Sequence, residues 1–431
     1  MKPLVFISCP IDTYSGYGAR SRDIALSIIK SEKYEVKIVP QRWGSTPFGF
    51  LNPNNLDHQL MINCIWSQPQ LPKQPDCWIQ ITVPNEFQPV GKFNIGITAG
   101  IETTICAPQW IDGCNRMDLI LASSEHAKKV FENSTFEEKN QQGQVVRQIR
   151  LEKPVEVLFE GVNTNIYQKI DAVNDSELWN IVDDIKEDFN FLYVGHWLQG
   201  ELGQDRKDTG MLIKTFLETF KDKKQKPGLI LKTSNVNHSI MDREEILDRI
   251  RQIESMVEGD LPSIYLIHGE LSDIEINELY NHSKVKAHVS FTKGEGYGRP
   301  LLEASVSQKP VIVSNWSGHL DFLDPEMSIL LPGEITPIHS SAVVQDMLLP
   351  ESGWFTVNYK KASETLEDVY KNHKKYVDGA KRQAYRSRTE FSLEKMGEKL
   401  TFILENKVPK PVQLKLPQLK KIELPKLKKV D

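Results

Sequence analysis

Two glutamates eight positions apart, Glu295 and Glu303, enclose Gly296, Gly298 and Pro300 in the segment KGEGYGRPLLEASVSQKPVIVSNWSGHLDFL, residues 293–323. Glycine permits close backbone approach and unusual φ angles. Proline suits the first turn of a helix, where its missing N–H costs little. Glu295 therefore falls in the loop ahead of a helix, and Glu303 about one turn inside it. The free N–H groups of residues 296–299 face the strand ends, and the helix macrodipole favours an anion there. A carboxylate on either side can accept hydrogen bonds from hydroxyl pairs such as those of ribose or hexose. This is chemistry for holding phosphate and sugar together. Paired carboxylates also serve glycoside hydrolysis, but a glycine-rich anion site between them fits a nucleotide donor better. The plain alternative is a capped helix with solvated glutamates.

Cations stand ready elsewhere in the chain. Lys232 ends the apolar run Leu229-Ile230-Leu231, and Arg206-Lys207 precede a helical pattern. Positive charge in a semi-closed cleft stabilises a departing diphosphate. No H-x-x-H, H-E-x-x-H or D-x-D occurs, so no metal ligands are expected.

These residues need a scaffold, and the apolar runs supply one. Strand patterns at residues 4–8, 34–40, 94–99, 118–122 and 155–158 alternate with helical ones at 19–30 and 124–131. After a polar stretch the alternation restarts, with strands at 191–195, 229–232, 264–268, 287–290 and 311–314 and helices between them. Such βαβ alternation calls for parallel sheets covered by helices. The expected class is α/β, with two Rossmann-like doubly wound domains facing across a cleft and ligand at the carboxyl ends of the strands. The expected division is an acceptor-side domain at 1–167, a linker at 168–189, a donor-binding domain at 190–387, a helix at 388–405 returning to the first domain, and a tail at 406–431. The polar stretch 133–150 reads as a loop or hairpin insertion.

A chain of 431 residues, 39% hydrophobic and 26% charged, is ordinary globular material too long for one small core. Its net charge of −5 argues against a general nucleic-acid binder. No run of about 18 apolar residues is present, and the opening MKPLVFISCPID fits a buried strand better than a secretory signal. The five cysteines are widely spaced without C-x-x-C, which argues against a disulfide framework or zinc site and makes the cytoplasm the simplest home, with peripheral membrane attachment left open. Residues 407–431 hold eight lysines against two acids and repeat LPQLKK and LPKLKK at 416–421 and 424–429. Prolines at that spacing forbid one long helix, so a basic extended or disordered tail is expected, with partner docking as its leading use beyond solvation.

The segment 293–323 resembles the donor-site signature of retaining, GT-B-fold glycosyltransferases of family four (glycosyl transferases group 1). The matching residues are Glu295-Gly296-Tyr297-Gly298, Pro300, Glu303-Ala304, Pro310-Val311-Ile312 and Trp316-Ser317-Gly318. Weaker matches are Gly16-Tyr17-Gly18 after the first strand, Leu158-Phe159-Glu160-Gly161-Val162-Asn163 between the halves, and Arg206-Lys207, with His196 where an Arg is usual. The resemblance implies a GT-B enzyme that moves a sugar from a UDP- or GDP-linked donor to a glycan, lipid or other hydroxyl acceptor, with retention of configuration and with no metal or cofactor beyond the nucleotide sugar. It implies catalytic roles for Glu295, Lys207 and Glu102. Donor contacts would come from Gly18, Arg206, Lys207, Lys232, Leu271, Glu295, Gly296, Tyr297, Gly298 and Glu303. His319 and Asp321 are lesser candidates for touching the acceptor. Rival readings are a transferase acting on modified DNA bases, a non-catalytic nucleotide-sugar-binding module, and a sugar-nucleotide epimerase.

Overall fold

The computed structural model describes residues 2–173, 175–235 and 238–409. Two six-stranded sheets dominate it. The first runs, edge to edge, Glu35–Pro40, Leu4–Cys9, Cys77–Ile81, Asn94–Thr98, Leu119–Ala122 and Val155–Val157. The second runs Ile264–Ile267, Gly228–Lys232, Asn190–Val194, Val285–Ser290, Val311–Ser314 and Ile329–Leu331. All pairings within both sheets are parallel. A parallel sheet is covered on both faces, so its strands read as continuous apolar runs, and all six residues of Leu4–Cys9 are buried. Val5, Ile7 and Cys9 pack with Ile24 and Ile28 of helix Gly16–Lys30. Leu4 and Phe6 face Trp110, Ile111 and Phe131 on the other side. These are two Rossmann-like domains facing across a cleft, the GT-B architecture.

The expected alternation recurs, with differences at its weakest signals. Strand Cys77–Ile81 lies at the centre of the first sheet but has five residues and a polar Gln80, and follows the proline-broken stretch 67–76. The polar segment 168–189 contains helix Glu177–Asp183, started by the Ser176 hydroxyl bonding the Trp179 amide. Its Leu178 and Val182 are buried in the core of the second domain. Residues 136–149 form an antiparallel hairpin.

The chain crosses between the domains near residues 162 and 391. The crossings are bonded to each other: the Val162 amide donates to the Phe391 carbonyl at 2.9 Å, and the Leu393 amide donates to the Val162 carbonyl at 2.8 Å. Helix Leu393–Lys407 then lays Met396, Leu400, Ile403 and Leu404 into the first domain's core. The expected basic tail lies, from residue 410 onward, outside the described residues.

Each sheet reverses its strand order once, and a doubly wound fold opens its crevice at that point. In the second sheet the reversal lies between Asn190–Val194 and Val285–Ser290. The loops leaving these two strands are 195–208 and 291–298, and they carry Arg206-Lys207 and Glu295.

Candidate active site

Loop 195–208 ends in a tight turn. The Asp205 carboxylate accepts the Lys207 amide at 3.1 Å and the Thr209 amide at 3.4 Å. Asp208 takes a left-handed φ of 53° as the cap of helix Thr209–Phe220, a conformation that Asp tolerates better than most residues. The turn aims both cations at the opposite loop. The Arg206 guanidinium donates to the Gly294 carbonyl at 2.9 Å and lies 3.2 Å from Glu102 and 3.5 Å from Glu295. The Lys207 ammonium contacts the other Glu295 oxygen. Burial alone would raise the Glu295 carboxyl, but the Lys207 and Arg206 charges outweigh it and hold it down at about 2. Burial lowers the Lys207 ammonium even with Glu295 beside it.

The glycine loop meets the first domain backbone to backbone. A Cβ on Gly296 would lie 2.5 Å from the Ala99 carbonyl oxygen, so no side chain fits there. The Gly296 carbonyl accepts the Ser123 hydroxyl at 3.0 Å and also the Ser124 hydroxyl. Gly298, with φ of 95°, caps helix Arg299–Ser305, in which Pro300 occupies the first turn. Glu102 and Arg206 make a third contact between the domains, and the Glu125 amide donating to Asp321 at 2.9 Å makes a fourth.

Glu303 stands apart from this cluster. Arg299 donates from Nε to Glu303 at 2.9 Å and from Nη1 to Asp23 of the first domain at 2.7 Å. Burial pushes the Glu303 carboxyl up to about 7, and the Arg299 charge only partly offsets that. Lys232 donates to the Gly269 carbonyl at 2.7 Å. It ties the end of its strand to the loop that carries half-buried Leu271. Burial lowers the Lys232 ammonium.

The structure thus brings Arg206, Lys207, Glu295 and Glu102 together, with Gly294 and Gly296 beside them. The remaining candidates are placed differently. The Tyr297 side chain packs into the second domain's core against Phe322, at 5.0 Å between ring centroids, so only its backbone serves the loop. The Gly18 amide is taken by the Ser15 hydroxyl at 2.9 Å. His319 is buried, its Nε2 bonded to the Ser314 carbonyl at 2.7 Å. Sequence reasoning passed over Arg299, Asp23, Asp208 and Lys293. Arg299 and Lys293 sit inside the signature segment, yet their partners are 276 and 85 residues away in the chain. Among the described residues no group of three or more His, Cys, Asp or Glu side chains could hold a metal ion, and no helix is long and apolar enough to cross a membrane.

With this geometry in hand, the likenesses to known proteins fall into place. Residues 260–339, which include Glu295, the glycines and Glu303, match the family model described as glycosyl transferases group 1. No curated protein matches the chain. Solved structures align over nearly the whole length. Anabaena Alr3699/HepE in complex with UDP-glucose is 13% identical with a TM-score of 0.61, the alignment covering 94% of this chain and 99% of that one. Sucrose-phosphate synthase from Thermosynechococcus elongatus is 11% identical at 0.60, covering 94% and 98%. A glycosyltransferase from Rickettsia africae is 12% identical at 0.57, covering 94% and 99%. At these identities the likeness is one of fold, and that fold is GT-B. The family match covers the glycine loop on which the two cations converge.

Proposed function

We propose that this protein is a GT-B glycosyltransferase that moves a sugar from a nucleoside-diphosphate donor, UDP- or GDP-linked, to a hydroxyl of a glycan, lipid or similar acceptor. One observation carries the reading: Arg206 and Lys207 converge on Glu295 at the strand-order reversal of the second sheet, where both domains meet. A diphosphate arriving there would meet Arg206, Lys207 and, one strand over, Lys232. Charge-assisted bonds of this kind contribute roughly 1.5–3 kcal/mol each and strengthen as the glycosidic bond breaks and charge collects on the leaving phosphate. Three side-chain cations can meet that charge without a metal.

In this reading Glu295, kept ionised by its cations, accepts from donor-sugar hydroxyls. Glu303 accepts from ribose, Gly296 to Gly298 offer backbone amides, and the loop at Leu271 holds the base through its main chain. Glu102 orients the sugar or acceptor from the opposite wall, and Gly18 shapes the first domain's loop. Retention of configuration follows from the family resemblance, with the leaving phosphate deprotonating the acceptor on the same face. Contact between the domains excludes water from the reaction. A cytoplasmic setting is part of the proposal.

The test is a panel of UDP- and GDP-sugars read by thermal shift, followed by donor hydrolysis and transfer to oligosaccharide and lipid acceptors, with and without EDTA. Stabilisation by one donor class and EDTA-resistant turnover are expected. A panel in which no nucleotide sugar binds would overturn the enzyme reading.

A further inference from the structure

Behind Arg206, Lys207 and Glu295 lies an ion pair with almost no access to water. Lys293 Nζ stands 3.4 Å from Asp208 Oδ2, and the two side chains are 1% and 0% exposed. Each partner has a further bond: Tyr359 donates its hydroxyl to Asp208 at 2.8 Å, and Lys293 donates to the Thr356 hydroxyl at 2.8 Å. The other Asp208 oxygen is buried without a partner. Burial pushes the Asp208 carboxyl up to about 7 even with Lys293 beside it. Such a pair is poorly compensated, and well-packed apolar residues often replace buried pairs at no loss of stability. Its presence calls for a reason other than stability.

The positions in the chain supply one. Asp208 follows Lys207 directly, and Lys293 lies two residues before Glu295. The pair joins the two loops that the strand-order reversal sets side by side. The Lys293 amide also donates to the Arg206 carbonyl at 2.8 Å, and the Lys293 carbonyl accepts the Phe355 amide at 2.9 Å. Both loops are thereby clamped from behind, with Asp208 in its left-handed turn. An apolar pair would fill the space without fixing register, because hydrophobic contact has no direction.

We propose that the buried Asp208–Lys293 ion pair is a positioning device that sets Lys207 and Arg206 in register with Glu295, so that all three meet the donor diphosphate and its sugar together. Neither member touches substrate. The inference rests on the donor reading given above. It goes beyond that reading by assigning the alignment of the site to two residues outside it.

The test separates alignment from stability. Three variants are made in the full chain: Asp208→Asn, Lys293→Met, and the double variant Asp208→Asn/Lys293→Met. Each is measured for Tm, for turnover with the donor found in the panel, and for affinity toward the donor's nucleoside diphosphate and its free nucleoside. Both single variants lose Tm, since each leaves a buried polar group unpaired. In the double variant no buried charge is left unpaired, so Tm recovers most of that loss, short of wild type by the cost of the introduced amide, while kcat/KM for the donor stays down by about 10²-fold, the scale of a misplaced reacting group. Nucleoside diphosphate affinity falls with it and free nucleoside affinity does not. Recovery of kcat/KM together with Tm in the double variant would show the pair to be merely structural and overturn the proposal. A wild-type protein that binds no donor fails differently: it removes the glycosyltransferase reading, and this inference with it.

Discussion

Glu295 and Glu303 are the same residue type on the same loop and helix, both nearly buried, yet their surroundings have pulled them apart. Glu295 lies between Lys207 and Arg206, both from its own domain, and is held at about 2. Glu303 has one cation, Arg299, shared with Asp23 across the cleft, and burial lifts it to about 7. Spacing in the chain puts both carboxylates on the glycine loop and the helix it starts, but the number of cations around each decides which stays charged. Divergent environments for paired carboxyls are how one site supports two jobs. In the proposed function one job is to meet a reacting sugar as an anion, and the other to grip a neutral diol.

The largest way to break this contrast is Lys207→Ala. Removing one charge-assisted contact from the proposed diphosphate site should lower turnover by about two powers of ten, measured as kcat at saturating donor. A smaller loss, under a few-fold, would mean that Arg206 and Lys232 carry the leaving group alone.

The two glutamine variants sharpen the contrast through stability. The folded-state value of Glu295 lies below that of the unfolded chain, so its ionisation adds stability that is present at neutral pH and lost as pH falls toward 2. Glu303 lies above its unfolded value. Its protonated form stabilises at low pH, and that contribution is lost as pH rises through about 7. Glu295→Gln should therefore lower Tm at pH 7 to 8, leaving Lys207 and Arg206 buried beside a neutral amide. For Glu303→Gln, Tm relative to wild type should rise between pH 5 and pH 8. Melting curves across that range decide it, and parallel behaviour of the two variants would erase the distinction.

Glu303→Ala should weaken donor binding by roughly tenfold, the loss of hydrogen bonds to a hydroxyl pair, with free pyrophosphate affinity unchanged in calorimetry. The smallest effect is expected from Asp23→Asn. It removes the charge of a partner of Arg299 that is 13% exposed, leaving an amide oxygen that can still accept, and should raise the donor KM by only a few-fold, with kcat held. A large fall in kcat would place Asp23 in the reaction centre instead.

The legible part of this molecule was what repeats locally. Parallel strands announce themselves as apolar runs, and the loop Glu295 to Gly298 with Pro300 and Glu303 states its own turn and helix start. Lys207 and Arg206 were readable because they precede a helix, and Glu102 because it follows a strand. The pair Asp208–Lys293 and the bridge Asp23–Arg299–Glu303 were not, because each joins loops that only the sheet topology brings together. Tyr297 shows the same limit in reverse. Its place in the signature is local information, while the direction of its ring, into the core beside Phe322, is set by packing. Strand Cys77–Ile81 escaped notice because five residues holding a glutamine alternate too briefly to stand out from the prolines before them.

The two crossings at Val162 and Phe391–Leu393, stitched to each other by main-chain bonds, have a mechanical consequence. Two loose tethers would let the halves slide, shear and swivel independently. Threads fastened side by side behave as a single pivot, leaving the swing of one half against the other as the soft motion. A molecule built this way has one soft coordinate, and what that coordinate holds together here is the Gly296 carbonyl and the two serine hydroxyls it accepts, Ser123 and Ser124.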